Sequence, residues 1–154
     1  MALKSDRIEL LTDISFFMNT IAERGGVAGI AVSGTAGSGV SMDDANAVVA
    51  YVAAVSGTRP IGVLLNDVVS LDLTRQHINW HKDEVQVGGK VTLLRNGQVT
   101  TNRLVSGITP TAGTPAYVGA SGLVGTSSTN AVQIGTFLSG KDADGYAKVS
   151  VNIA

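Results

Sequence analysis

The chain has 154 residues, which fits one domain or one domain with an arm. It has no Cys, so disulfides and Cys-ligated zinc are excluded. Eleven Lys and Arg against twelve Asp and Glu give a formal net charge of -1, and the scattered cations argue against nucleic-acid binding. No stretch is long and apolar enough for a signal peptide or a membrane span, so we expect a protein made in the cytoplasm.

The composition predicts a protein that buries much of its apolar surface, either in its core or against a partner. Charged residues make up only 15% of the chain and aromatic residues 5%, whereas Gly occurs 19 times. Such a weakly charged protein has either a large core or a face that is covered by a partner. Glycines that separate short runs rich in Val, Ile and Thr predict an all-β fold, a small barrel or sandwich.

Two N-terminal segments fit either a strand or a helix, and we favour a strand for both. In residues 7–18 the even positions are mostly apolar, which is a strand pattern, although a helical stripe is also present. In residues 41–55 a capping box at Ser41 and Asp44 would start a helix, but several Val residues favour a strand. We predict an extended arm or strand over residues 1–19 and a single β-domain over residues 20–154.

Further along the chain, strands and turns are clearer. Residues 61–65 are apolar at every position except Gly62, which predicts a central strand, with Pro60 at its start. Asn96-Gly97 predicts a type I′ turn that joins strands at 90–95 and 98–102. The composition of residues 105–130 predicts loops with a short strand near 116–118. Residues 132–138 and 146–153 alternate, and the turn-rich link 139–145 makes them a hairpin.

The densest polar segment, Asp72 to Glu84, holds both His residues and the only Trp. His77 and His81 are four residues apart and could ligate a metal with a nearby Asp, but no tight ligand motif is present. A Trp flanked by Arg and His is typical of a protein interface. We favour a structural or interface role for Arg75, His77, Trp80 and His81.

Other motifs that could carry chemistry are weak. Gly88-Gly89-Lys90 lacks the remaining residues of a P-loop, and residues 33–39 lack a nearby Lys. Asp142 to Gly145 resembles half a calcium loop but fits a β-turn better. No nucleophile elbow occurs. We therefore expect no enzymatic activity, no cofactor and no metal.

The segments Pro60 to Val69 and Asp72 to Glu84 resemble small head decoration, or cement, proteins of tailed phages, including cyanophages. The order of the C-terminal motifs is similar as well: Pro115 to Gly119, Gly122 to Val124, Ile134 to Ser139 and Asp142 to Val149. The resemblance covers most of residues 7–154. It implies a protein on the outer surface of the capsid, often a homotrimer, that clamps neighbouring major capsid subunits.

The resemblance gives no catalytic residues, and it implies neither a nucleic-acid nor a membrane partner. An N-terminal strand could add to a sheet edge of the capsid protein, with Phe16, Phe17 and Met18 as anchors; alternatively, these three side chains fill the protein's own core. We expect removal of residues 1–12 to abolish head binding and to leave the fold intact. The predicted capsid or subunit interface comprises Ile8, Leu10, Phe16, Phe17, Met18, Arg75, His77, Trp80 and His81. Alternatives are a tail or fibre subunit and a carbohydrate-binding β-sandwich.

Overall fold

A computed structural model describes residues 3–18, 20–31, 48–51, 58–70, 74 and 82–153. These residues form twelve strands and one 3-10 turn at Ala120–Gly122. The strands are β1 (Ile8–Asp13), β2 (Phe17–Met18), β3 (Val27–Ala31), β4 (Val48–Tyr51), β5 (Thr58–Leu64), β6 (Asp67–Val69), β7 (Glu84–Gln86), β8 (Leu93–Thr101), β9 (Pro115–Val118), β10 (Val124–Gly125), β11 (Gln133–Phe137) and β12 (Ala147–Asn152). The all-β fold class is thus confirmed.

One large sheet forms a nearly closed barrel. Its strands follow the order β10-β9-β11-β12-β8-β5-β3-β4-β2, while β1 pairs with β8 outside this order. A second small sheet holds β6 and β7, which are parallel. Within the ranges that the structure describes, no helix is long and apolar enough to cross a membrane.

In the described part of the barrel, strand β8 pairs with three other strands, β1, β5 and β12. Its residues 96–101 pair with β12, and its residues 93–94 pair with β5. Strand β1 pairs with β8 over both of these stretches, from Leu93 to Gln98. Since a strand has only two hydrogen-bonding edges, β12 and β5 must follow one another along one edge, and β1 occupies the other.

The buried apolar residues of the described ranges form two clusters on opposite faces of β3, β5 and β8. Neighbouring residues of these strands alternate between the clusters: Val63 and Leu94 belong to one, whereas Leu64 and Leu93 belong to the other. The first cluster lies around Phe137, and the second includes Met18, Ala22 and Val68. Because both faces are covered, the strand needs apolar residues at consecutive positions, which explains the apolar run at 61–65.

Several predicted strands are confirmed. Strands β11 and β12 pair as the expected C-terminal hairpin, and β9 covers the short strand expected near 116–118. The apolar run at 61–65 lies largely in β5, which pairs with both β3 and β8 and is therefore central. Residues 8–13 and 17–18 are strands, as favoured over a helix. In the segment 41–55, residues 48–51 form a strand, and the rest lies outside the described residues.

The hairpin predicted at Asn96-Gly97 is wrong. Both residues lie inside the continuous strand β8, where Gly97 pairs with Val151 on one edge and with Glu9 on the other. A Cβ atom at Gly97 would lie 2.0 Å from the carbonyl oxygen of Ile8. Glycine is required here because β1 approaches the backbone of β8 closely, and not because the chain reverses.

Candidate interaction surface

An exposed apolar surface lies along the N-terminal segment. Five of the seven large exposed hydrophobic side chains described in the structure fall between residues 8 and 21. Their exposed fractions are 49% for Ile8, 72% for Leu10, 55% for Leu11, 65% for Ile14 and 67% for Ile21. We call Ile8, Leu10, Leu11 and Ile14, which lie on or directly after β1, the β1 apolar band. Several large exposed apolar side chains within one short segment are typical of a contact with a partner.

Among the described strands, β1 pairs with the barrel by one edge, through β8. Its register with β8 shifts between Glu9 and Leu11 and again between Leu11 and Thr12. Such irregularities are β-bulges, which bend an edge strand and re-aim its side chains. All residues from Ile8 to Thr12 are exposed, including those that a regular strand would turn toward opposite faces. None of the other described strands pairs with β1, so its second edge is unpaired within the described part of the chain.

The charged residues of β1 are held by ion pairs at both ends. Arg7 Nε is hydrogen-bonded to Glu9 Oε1, and an Arg95 guanidinium nitrogen lies 3.6 Å from Asp13 Oδ2. The Ser15 backbone N–H also donates to Asp13 Oδ1 at 2.8 Å. Burial alone would raise the pKa of Asp13, but the hydrogen bonds from Ser15 and the Arg95 charge outweigh it, so the pKa lies below its usual value.

The segment before β1 is fixed to the barrel. Leu3 is buried in the first core cluster and bridges to Thr101, and the Lys4 N–H donates to the Thr100 carbonyl oxygen at 2.9 Å. Lys4 Nζ lies 3.3 Å from Asp142 Oδ2 and 4.5 Å from the ring centre of Tyr146. The predicted arm is thus extended, but from residue 3 to residue 13 it lies along β8.

The three predicted anchors that follow β1 differ in their surroundings. Phe16 and Phe17 are half-buried, and Lys90 Nζ lies 5.2 Å from the ring centre of Phe17. Met18 has no exposed surface and belongs to the second core cluster. The interface role predicted for Met18 is therefore corrected: its side chain fills the protein's own core, because the surrounding backbone pairs with residues 88–91.

Arg24 contacts the C-terminal end of the polar segment 72–84, at Lys82 and Asp83. Its backbone N–H donates to Asp67 Oδ1 at 2.8 Å, and its Nη2 donates to Asp67 Oδ2 at 2.9 Å and also to the Lys82 carbonyl oxygen. Arg24 Nη1 lies 3.6 Å from Asp83 Oδ2. The hydrogen bond to Asp67 raises the pKa of Arg24 further. Arg75, His77, Trp80 and His81 lie outside the described residues.

The Arg24 cluster was not predicted from the sequence. A single Arg before Gly25-Gly26 gives no periodic signal, and its partner Asp67 is 43 residues away. Burial would raise the pKa of Asp67, but the hydrogen bonds and the charge of Arg24 lower it below its usual value. The arrangement is that of a structural ion pair, since Arg24 is 8% exposed and both of its Nη atoms face groups of the same chain.

A surface groove of about 470 Å³ lies beside this cluster, lined by Ile21, Ala22, Glu23, Asp67, Val68, Val69 and Arg103. Arg103 Nη1 lies 3.7 Å from Glu23 Oε2, so the charges at the rim pair with one another. Among the described residues, no three His, Cys, Asp or Glu side chains come together as metal ligands. The loop at Asp142 is a turn as predicted, with Asp142 Oδ1 accepting from the N–H groups of Asp144 and Tyr146.

No protein-family model matches the sequence, and no curated protein is significantly similar to it. The β1 apolar band is therefore the feature on which a functional interpretation of the described residues rests.

Proposed function

We propose that the chain is a structural protein of a tailed-phage virion, which binds the outer surface of the head and stabilises it by clamping neighbouring major capsid subunits. The proposal begins with the resemblance of residues 60–84 to head decoration proteins. The observation that carries it further is the β1 apolar band, whose four large apolar side chains are exposed on or directly after a strand that pairs by one edge among the described residues. Such an edge suits addition of a strand from another protein.

The energetics of the band favour a partner. Each fully buried aliphatic side chain contributes about 1.5 to 3 kcal/mol relative to an exposed one. The band leaves four such side chains largely in water in the isolated chain. Covering Leu10 and Leu11 alone would stabilise a complex by several kcal/mol before the cost of association is subtracted. Many copies on one shell reinforce each other, so modest contacts per copy suffice.

A binding assay with purified, undecorated heads tests the proposal. Wild-type protein is expected to sediment with the heads, and the double variant Leu10→Lys/Leu11→Lys is expected to stay in the supernatant. Val132→Lys is the matched control, because Val132 is an exposed aliphatic residue outside the band. If the double variant binds as tightly as the wild type, the band is not the docking surface; if the wild type does not bind any head, the proposed function is refuted.

A further inference from the structure

Asn96-Gly97 is the only Asn-Gly pair of the sequence, and it lies inside β8. We propose that this pair is a self-modification site, which the folded barrel protects and which reacts when β8 separates from β12. The reaction then prevents the opened barrel from closing again. The inference concerns the isolated chain and does not depend on binding to phage heads.

The chemistry needs no catalyst, and water is its co-reactant. The backbone nitrogen of Gly97 attacks Cγ of the Asn96 side chain, which forms a new N–C bond and expels the side-chain amide as ammonia. The proton of the attacking nitrogen ends on this ammonia. Water then opens the succinimide ring at one of its two carbonyl carbons and leaves aspartate or isoaspartate at position 96. Glycine favours the attack, because it has no Cβ atom in the way.

In the folded barrel, the attacking nitrogen belongs to the ladder between β8 and β12. The two strands pair without a register shift over residues 96–101 of β8, and just beyond them the Ile153 N–H donates to the Arg95 carbonyl oxygen at 2.8 Å. Hydrogen-bonded and non-hydrogen-bonded positions alternate in an antiparallel pair. Gly97, two residues from Arg95, therefore lies at a hydrogen-bonded position with its N–H directed at Val151. Attack requires these two strands to separate first.

The shape of the backbone protects the pair as well. Asn96 is exposed, but its backbone is part of a continuous strand. Ring closure needs Asn96 Cγ and the Gly97 nitrogen on the same side of the Cα–C bond, and an extended backbone holds them apart. Strand β1 restrains the same stretch from the other edge. The reaction in the folded protein is therefore limited to the fraction of molecules that open.

One of the two products does not fit back into the barrel. In isoaspartate the former side-chain carbons become part of the main chain, which is longer by one atom. The extra atom shifts the following residues of β8 against β12 and β1, which pair with them on both edges. Next to Gly97 there is no space to absorb the shift, since even a Cβ atom there would lie 2.0 Å from the Ile8 carbonyl oxygen. Aspartate keeps the backbone unchanged and places its charge at an exposed position.

Two incubations of the full chain at mildly alkaline pH test the protection, one in buffer and one in guanidinium chloride. Peptide mapping by mass spectrometry measures how much Asn96 has become aspartate or isoaspartate. We expect conversion to be about a hundredfold or more faster in guanidinium chloride, because ordinary domains open in about one molecule in a thousand or fewer. Conversion at similar rates in the two solutions would overturn the inference.

Refolding of the denatured, incubated chain tests the block to closure. After dilution from guanidinium chloride and gel filtration, the recovered barrel should contain Asn or aspartate at position 96, and isoaspartate should collect in the chains that do not refold. Asn96→Gln should keep its refolding yield, since attack on the longer side chain closes a six-membered ring much more slowly. Asn130→Gln, which replaces an exposed Asn outside β8, is the matched control and should lose yield as the wild type does.

The comparison of refolded with unrecovered wild-type chains needs no variant, so it holds even if a substitution impairs folding. Isoaspartate at position 96 that is as abundant in the refolded as in the unrecovered chains would contradict the block to closure. An Asn96→Gln chain that loses its refolding yield as fast as the wild type overturns it as well.

Discussion

Arg24 binds both oxygens of the Asp67 carboxylate, with its backbone N–H on Oδ1 at 2.8 Å and Nη2 on Oδ2 at 2.9 Å. The same guanidinium donates to the Lys82 carbonyl oxygen, so it joins three distant parts of the chain. The start of β6, the turn before β3 and the end of the polar segment 72–84 meet at this point. The ion pair therefore ties Lys82, at the end of that segment, to β6 and to the turn before β3.

Replacing Arg24 should be costly. Arg24→Ala leaves the partly buried carboxylate of Asp67 without its cation and the Lys82 carbonyl oxygen without its donor, which we expect to lower the free energy of unfolding by about 2 to 4 kcal/mol. Arg7→Ala, which removes the partner of Glu9 at the surface, should cost about 1 kcal/mol or less. Urea denaturation of both variants measures the difference. Equal losses would show that Arg24 has no special structural role.

The Asp67 carboxylate should also make the free energy of unfolding depend on pH in the acidic range. Its pKa in the folded protein lies below the usual value of 3.8, so the folded state favours the charged form. The resulting stabilisation is complete above about pH 5 and is lost as the pH falls through 3.8 and then through the folded-state pKa. Asp67→Asn should remove the share of Asp67 from this acid limb of the stability profile, whereas the shares of Asp13 and Asp142, whose pKa values are also lowered, should remain. If the acid limb of the stability profile is unchanged in Asp67→Asn, the assignment of this pH dependence to the Asp67 carboxylate is wrong.

Gly97 should not tolerate a side chain. A Cβ atom would lie 2.0 Å from the Ile8 carbonyl oxygen, so Gly97→Ala forces β1 away from β8. We expect a loss of about 2 to 4 kcal/mol and faster amide hydrogen exchange in residues 8–13. Gly140→Ala is the control, because the nearest atom to its Cβ lies at 3.4 Å, in ordinary contact. Protection of β1 that survives in Gly97→Ala would show that the close approach is not needed.

The N-terminal segment contributes to the fold, so the expectation that removal of residues 1–12 leaves the fold intact is revised. Leu3 is 1% exposed and Leu10 is 72% exposed. The same substitution should therefore have a large effect at one position and a small effect at the other. Leu3→Ala should lower the free energy of unfolding by about 2 to 4 kcal/mol. Leu10→Ala should change it by about 0.5 kcal/mol or less. Thermal unfolding of the two variants tests this contrast. A stable Leu3→Ala variant would mean that the segment is a detachable arm.

The sequence predicted those strands whose neighbours lie close in the chain. The hairpin of β11 and β12 follows from alternation and a turn-rich link, and β12 buries Ala147, Val149 and Val151 as its pattern requires. Long-range pairing was not predictable in this way. Asn96-Gly97 fits a local turn by its residue types, but the arrival of β1 on one edge and β12 on the other determines its structure. Tertiary pairing overrides local preference at such positions.

The candidate surface was predicted in part. The alternation of residues 7–18 indicated an apolar strand, and Ile8 and Leu10 are exposed in the β1 apolar band. The same pattern could not separate Leu10 from Met18, which the fold buries, because exposure depends on the neighbours that each residue meets: Leu10 lies in β1 beside β8, whereas Met18 pairs with β4 and with residues 88–89. Arg24 and Asp67 were missed since their contact spans 43 residues and leaves no local pattern.

Electron microscopy of phage heads assembled with and without this protein tests the central claim most directly. The account predicts additional density on the outer surface of the shell, with the β1 apolar band facing the capsid subunits. It further predicts that this density disappears when Leu10→Lys/Leu11→Lys replaces the wild type and persists with Val132→Lys. Heads that are identical with and without the protein, or density confined to the tail, would contradict the account.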